Sequence, residues 1–417
     1  MTVERRRLAE RLRGIPGMGE LLPALQGIPR VYLVGGAVRD VLLGARSVDL
    51  DVVVEGDATA VARDVAERLE GDVIVHERFG TATVRAGRLA VDMATARRER
   101  YTRPGALPEV EPAPLDDDLG RRDFTVNAMA LGLEGDQLGR LHDPHGGCDD
   151  LEARAVRILH DESFVDDPTR LLRAVRYESR LGFRMDPETE RRARDAIAAD
   201  ALELVSGPRV RDELMDLLAE VEVGRALERT GELGLDRALH PALVVDAELA
   251  ASAALGALET GADRALAALA ALVGHDPIAL SEWVESLGLR REARDRALRA
   301  AQQAPKLLPA LRAVDAPSAI HALLRCEPPE TLALALALGA PPRPILDFVG
   351  TLATTRLEIS GQDLVDAGVP RSPAIGRALE EVLRRKLAGQ VAGRAEALRR
   401  ALELAREEGA PPGGPGR

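Results

Sequence analysis

The chain has 417 residues, 46% hydrophobic and 30% charged, long enough for an ample core and roughly two to four domains. It has no run of about 18 apolar residues, so no membrane span is expected. Its start, Met1-Thr2-Val3-Glu4-Arg5-Arg6-Arg7, leads into no apolar signal core, so export is not expected either. The net charge of −12 argues against a generally basic nucleic-acid binder, although phosphate contacts need only a local basic stripe.

The first predicted elements carry chemistry. Val31–Val34 is a short apolar run that reads as a buried strand. Gly35 and Gly36 make a tight turn, and Ala37–Leu43 reads as a helix stopped by Gly44. A strand, two glycines and a helix start form an anion site. Phosphate oxygens can approach the glycine backbone, and the helix N-terminus offers free N–H groups. Arg39, in the first turn, adds a charge-assisted contact to a triphosphate.

The next predicted strand is Val48–Val54. Strand side chains alternate, so Asp49 and Asp51 fall on one side and Val48, Leu50, Val52 and Val54 on the other. Two carboxylates on one side stay ionised at neutral pH only with a cation between them. Hard divalent ions such as Mg²⁺ choose such oxygen ligands.

Beyond them come an amphipathic helix, Ala58–Leu69, and strands at Asp72–His76, Thr81–Arg85 and Leu89–Thr95. Residues 97–118, rich in proline and charge, read as a loop ordered by substrate. In the run Arg121-Arg122-Asp123-Phe124-Thr125-Val126-Asn127, two arginines can face a triphosphate and Asn127 can bond a sugar or phosphate; surface ion pairing is the alternative. The run His142 to Leu151, with His145 and Cys148, reads as a turn rather than a metal cluster, because no second cluster completes a tetrahedral set.

In Asp166-Asp167-Pro168-Thr169-Arg170-Leu171-Leu172-Arg173-Ala174-Val175-Arg176-Tyr177, Pro168 suits a first helical turn and Asp167 its N-cap. Arg170, Arg173 and Arg176 share a face, and Leu171, Leu172 and Val175 face inward. The face is either solvated or functional. Cytosine and adenine each show an amino donor beside a ring-nitrogen acceptor. Asp167 can accept from the first while Arg170 donates to the second, and uracil and guanine present the reversed order.

From about 150 the text is nearly all helical, divided at Ser206-Gly207-Pro208, Pro241, Pro305, Pro328-Pro329 and Pro341-Pro342, and the tail Pro411–Pro415 reads as disordered. The segment Pro370–Gly376 opens a helix that can offer its N-terminus to a phosphate. Arg384, Arg385, Lys386, Arg394, Arg399 and Arg400 are either a basic stripe for RNA or a salt-bridged surface with Glu380, Glu381, Glu396 and Glu403. Only Lys306 and Lys386 are lysine among 56 basic residues, so any arginine cluster stands against a raised background. Cys148 and Cys326 give no disulfide framework and no zinc spacing, which fits a reducing cytoplasm.

Taken in order, Gly35-Gly36-x-x-Arg39-Asp40, Asp49-x-Asp51, Arg121-Arg122-Asp123-x-x-x-Asn127-Ala128 and Asp167-Pro168-x-Arg170-x-x-Arg173-x-x-Arg176 resemble the motifs of the class II tRNA nucleotidyltransferase and bacterial poly(A) polymerase family. The stretch from Ile359-Ser360-Gly361 to Leu398 resembles that family's tail. The resemblance implies an α/β head with a mixed, polymerase-β-like sheet (1–155), then an all-α neck (156–222), body (223–345) and tail (346–417). It implies Mg²⁺-dependent transfer of CMP, AMP or both from CTP and ATP to the 3′ end of tRNA. Rivals are a poly(A) polymerase and an idle RNA-binding relative.

By position, the resemblance puts metals on Asp49 and Asp51 and nucleotide contacts on Gly35, Gly36, Arg39, Arg122 and Asn127. It puts base reading on Asp167 and Arg170, leaves Arg173 and Arg176 near the nucleotide and phosphates, and makes Asp92 a third carboxylate. No membrane or DNA partner is implied, and monomer and homodimer both stay open. The family usually has Glu-Asp-Pro where this chain has Asp166-Asp167-Pro168. In the family, the 97–118 loop helps decide between CCA, CC-only and A-only addition. Two His-Asp dipeptides, His160-Asp161 and His275-Asp276, lack the further ligands of a phosphohydrolase site.

Overall fold

The computed structural model describes residues 3–44, 49–76 and 80–409. The chain forms two compact units, Met1–Pro241 and Ala242–Arg417. In chain order the first unit holds α1 (Val3–Arg13), α2 (Met18–Ala24), β1 (Val31–Val34), α3 (Gly36–Leu43), β2 (Leu50–Val54), α4 (Ala58–Arg68), β3 (Asp72–His76), β4 (Thr81–Ala86), β5 (Leu89–Thr95), β6 (Arg97–Arg100) and β7 (Glu109–Pro112). It continues with α5 (Leu115–Gly120), β8 (Ala130–Gly132), β9 (Leu141–His142), α6 (Gly147–Ala153), β10 (Ala155–Val156), α7 (Ser163–Asp166), α8 (Arg170–Leu181), β11 (Arg184–Met185), α9 (Pro187–Ala198), α10 (Gly207–Ala219), α11 (Val223–Leu233) and α12 (Leu235–Leu239).

Seven strands make one mixed sheet in the order β3-β4-β5-β2-β1-β8-β9. Within this sheet only β2 and β5 pair in parallel, with Asp51 opposite Asp92. All four residues of β1 are buried, as its unbroken Val-Tyr-Leu-Val run requires of a central strand. Tyr32, Val34, Val53, Leu115 and Leu119 pack one face of the sheet together, placing α5 against it. Helix α4 starts where Asp57 accepts from the Thr59 and Ala60 N–H groups.

Four expectations need correction. Strand β2 starts at Leu50, so Asp49 precedes it, and its carbonyl accepts from Asp51 N–H at 3.2 Å; Val48 lies outside the described residues. Residues 97–118 are not a loop but the β6–β7 hairpin followed by α5, with Arg97 paired to Pro112 and Arg100 to Glu109. Helix α8 starts two residues later than expected. Asp167 Oδ1 accepts from Thr169 N–H and Oγ1, and this local turn leaves Thr169 as N-cap. Helical bonding also passes Pro305: α16 below is unbroken there, because its buried alanines and leucines outweigh the missing N–H.

The second unit is helical: α13 (Ala247–Thr260), α14 (Arg264–Val273), α15 (Ser281–Ser286), α16 (Arg291–Ala313), α17 (Pro317–Leu324), α18 (Pro329–Ala337), α19 (Pro342–Gly350), α20 (Gly361–Asp366), α21 (Pro373–Leu387) and α22 (Gly393–Gly409). Nine of the ten α14 residues are buried. Glu330, fully buried on α18, is neutralised by Arg296 of α16 and accepts from Asp263 N–H at 2.9 Å. Leu364, Ile375, Val382 and Ala401 centre a second core. The Pro411–Pro415 tail lies outside the described residues.

Candidate active site

The β1–α3 turn places the first functional groups. Gly35 adopts φ 69°, ψ −138°, a conformation that only glycine takes without strain. A Cβ there would lie 2.6 Å from Arg122 Nη1, so the guanidinium sits against the turn. Gly36 opens α3, and Gly44 closes it in the left-handed region. Gly35→Ala is therefore expected to displace Arg122 and weaken nucleoside triphosphate binding by roughly tenfold or more, measured by calorimetric titration; unchanged affinity would remove the turn from the binding site.

A cleft of about 420 Å³ opens over this turn. Its walls bring together Gly35, Gly36, Arg39, Asp49, Asp51, Arg122, Asn127, Asp167, Arg170 and Arg173. Of the residues singled out in the sequence, Asp92 and Arg176 are not on its walls. Asp92 stands on β5 beside Asp51 and accepts from Thr83 Oγ1 at 2.5 Å. Arg176 pairs with Glu213 at 3.0 Å and Asp216 at 3.4 Å.

The cleft carries charges of both signs. Asp49 and Asp51 are solvent-accessible, yet the surrounding protein pushes the Asp51 carboxyl above its usual range. Burial of the group contributes most, followed by repulsion from Asp92; Arg122 opposes and Asp49 adds. Hard oxygen donors in mutual repulsion suit a divalent cation. No group of three His, Cys, Asp or Glu among the described residues could hold one alone. A cation here would therefore complete its shell with ligand oxygens. The His142–Cys148 run instead caps α6, with Asp143 accepting from Gly147 and Cys148 N–H.

Two of the cleft arginines share one buried acid. Arg121 and Arg122 both pair with Asp118, at 2.8 and 2.9 Å. Asp118 is wholly buried; burial opposes its ionisation, but Arg122 and Arg121 outweigh it and hold the carboxyl below its usual range. So these arginines are ion-paired and also face the cleft. Arg122 Nε is buried with no hydrogen-bond partner among the described residues, an unspent donor beside the glycine turn.

A second chain of bonds is buried. Arg39, 3% exposed, donates to Asn127 Oδ1 at 2.7 Å. Asn127 Nδ2 donates to Asp123 Oδ1 at 2.9 Å, and Arg173 donates to Asp123 Oδ2 at 2.7 Å and to Glu213 at 2.9 Å. Arg39, Arg173 and Arg176 all stack on the Tyr177 ring at 5.3–5.7 Å.

Arg170 is not solvated: 5% exposed, it donates to Ser163 Oγ at 2.6 Å and to the Arg121 carbonyl at 2.8 Å. Asp167 directs all its hydrogen bonds to Oδ1, including one from Arg209 at 2.8 Å; among the described residues Oδ2 has none. Tyr101, from the hairpin, joins them on the wall. Burial pushes its hydroxyl up to about 12, against the pull of Arg170 and with help from Glu99 and Asp167. Tyr101, Glu99, Tyr177 and Arg180 were missed in the sequence. With three tyrosines in the chain, two of them on this wall, tyrosine scarcity was the available signal.

A strand–glycine turn–helix beside paired carboxylates defines a nucleotidyltransferase head. Residues 31–157 match the family described as Poly A polymerase head domain. The chain is 36% identical over 363 residues to the CC-adding tRNA nucleotidyltransferase of Deinococcus radiodurans, covering 86% of this chain and 85% of that one. It is 46% identical over 216 residues to the A-adding tRNA nucleotidyltransferase of Geobacter sulfurreducens, covering 52% of this chain. The chain spans only 24% of the length of that relative. A solved apo form of a CCA-adding enzyme superposes with a TM-score of 0.78 at 33% identity, covering 97% of this chain and 100% of that one. The chain belongs to the tRNA nucleotidyltransferase family, whose members generally depend on a divalent metal. No described helix is long and apolar enough to cross a membrane.

Proposed function

We propose that this chain transfers CMP, AMP or both from CTP and ATP to the 3′-hydroxyl of tRNA and releases pyrophosphate. One observation carries the reading: a single cleft holds the glycine turn, the Asp49–Asp51 pair and the Asp167–Arg170 pair. The N–H groups opening α3 and the Arg122 guanidinium would hold the triphosphate. Asp49 and Asp51 would hold Mg²⁺, which when bound supplies charge that favours attack by the hydroxyl and departure of pyrophosphate. Asp167 Oδ2 accepts from the amino group of cytosine or adenine. Each Nη of Arg170 bears a second N–H, so a donor remains for the ring nitrogen. A cytoplasmic setting suits this substrate and the two free thiols, Cys148 and Cys326.

Incubation with tRNA ending at the discriminator base, at C and at CC, with CTP, ATP and Mg²⁺, tests the proposal. Sequencing of the products separates CC, A and complete CCA addition. No extension of any of the three would end it.

Arg209 of α10 bridges the hairpin to the base-reading pair, donating to the Gly105 carbonyl and to Asp167 Oδ1, each at 2.8 Å. Among the described residues, Arg209→Ala removes the one charge-assisted bond to Asp167 and leaves its carboxylate held by Thr169 alone. Misincorporation of UTP is expected to rise about tenfold, the order of one lost charge-assisted bond, while the KM for CTP changes little. Unchanged selectivity in a nucleotide-competition assay would count against this coupling.

A further inference from the structure

We propose that Arg180 binds the terminal phosphates of the incoming nucleoside triphosphate and of the departing pyrophosphate. The inference rests on the nucleotidyl-transfer reading above. Six arginines line the cleft: Arg39, Arg121, Arg122, Arg170, Arg173 and Arg180. Five are committed inside the protein. Arg39 is held by Asn127 and Asp40, Arg121 by Asp118 and Glu99, Arg122 by Asp118, Arg170 by Ser163 and the Arg121 carbonyl, and Arg173 by Asp123 and Glu213. Among the described residues Arg180 alone of the six has no hydrogen bond or ion pair, and it is exposed. A guanidinium on a cleft wall with all its donors free suits an anionic ligand.

Position along α8 says which anion. Arg170, Arg173, Tyr177 and Arg180 form one stripe on the cleft side of the helix. Arg170 and Arg180 are ten residues apart, roughly 15 Å along the axis. Between them the Tyr177 ring touches Arg39 at 5.3 Å. Arg39 lies against the turn, since a Cβ on Gly36 would stand 3.3 Å from its Nη2. The glycine turn is thus abreast of Tyr177, base reading lies toward the start of α8, and Arg180 lies one turn beyond. A nucleotide with its base at Asp167–Arg170 and its phosphates over Gly35–Gly36 points its last phosphate at Arg180.

Two other roles fit an arginine in this place. It could hold the RNA backbone, or only offset the helix dipole at the C-terminal end of α8. Calorimetric titration of the wild-type protein, Arg180→Ala and Arg180→Lys with CTP and with CMP separates them, alongside the KM for tRNA. We expect Arg180→Ala to weaken CTP by about ten- to a hundredfold and leave CMP, which lacks the terminal phosphates, unchanged. Arg180→Lys should lie between, as a point charge without the fork. Equal losses for CTP and CMP, no loss, or a change confined to the KM for tRNA would each overturn the assignment. Wild-type protein that bound neither nucleotide would bring down the parent reading itself.

Discussion

Asp51→Asn is expected to lower nucleotide transfer by roughly a thousandfold or more while leaving tRNA binding nearly intact, because several kcal/mol of charge stabilisation at the reacting phosphate is lost. The same substitution should stabilise the metal-free protein. Asp51 is held above the usual carboxylate range, by burial first and by Asp92 second. The folded chain therefore binds this proton more tightly than the unfolded chain does. Stability from the group is present at low pH and is lost as pH rises through the raised value. Asparagine has no proton to lose, so in chelator the variant should melt above wild type at neutral pH and match it more closely in acid. Metal affinity of the wild type should fall as pH drops through the same range, because protonation removes a ligand. Melting curves across pH in chelator, with gel-based transfer and tRNA-binding assays, check all three. Retained transfer in Asp51→Asn would refute the metal assignment.

The part of the site legible in the sequence was the part that local chain rules dictate. Val31–Val34, two glycines and a helix closed by Gly44 are read from neighbouring residues alone, and the fold follows them. The 97–118 hairpin was hidden because its strands are charged and proline-bearing. Arg97 to Arg100 carries no apolar alternation, and Pro112 sits opposite Arg97 in a two-stranded sheet, where a missing N–H is tolerated at an edge. Tyr101, in the loop of that hairpin, was hidden with it. The partners of the arginines were hidden for a different reason. Glu213 is 40 residues from Arg173, and nothing in the spacing of α8 announces it. From spacing alone the arginine stripe therefore read as one surface, either solvated or functional. In the fold it divides: Arg170 and Arg173 line the cleft from fixed positions, while Arg176 turns to Glu213 and Asp216.

That division makes Asp123 the residue whose loss should harm the fold most. Its carboxylate accepts from Arg173 through Nε and Nη2, from Asn127 Nδ2 and from Phe124 N–H. Burial opposes its charge, yet Arg173 and the Asn127 bond hold it ionised and below the usual range. Asp123→Ala would leave the Arg173 guanidinium partly buried with Glu213 as its main remaining partner, and would free Asn127 from one side. Removing one member of a buried ion pair costs about 3–5 kcal/mol. At about 2–4 °C per kcal/mol for a unit of this size, the melting temperature of the N-terminal unit should fall by roughly 6–20 °C. Function should fall further than unfolding explains. Asn127 positions Arg39 through a 2.7 Å bond, and Arg39 packs on the Tyr177 ring beside the glycine turn. Below its melting point, Asp123→Ala should therefore still show a raised KM for both CTP and ATP. Asp123→Asn keeps the shape and two acceptor lone pairs but loses the charge, and should fall between wild type and alanine in both measurements. A variant that melted lower with an unchanged KM would make Asp123 a folding residue alone. One with normal melting and a raised KM would mean that Arg173 finds its counter-charge in Glu213 by itself.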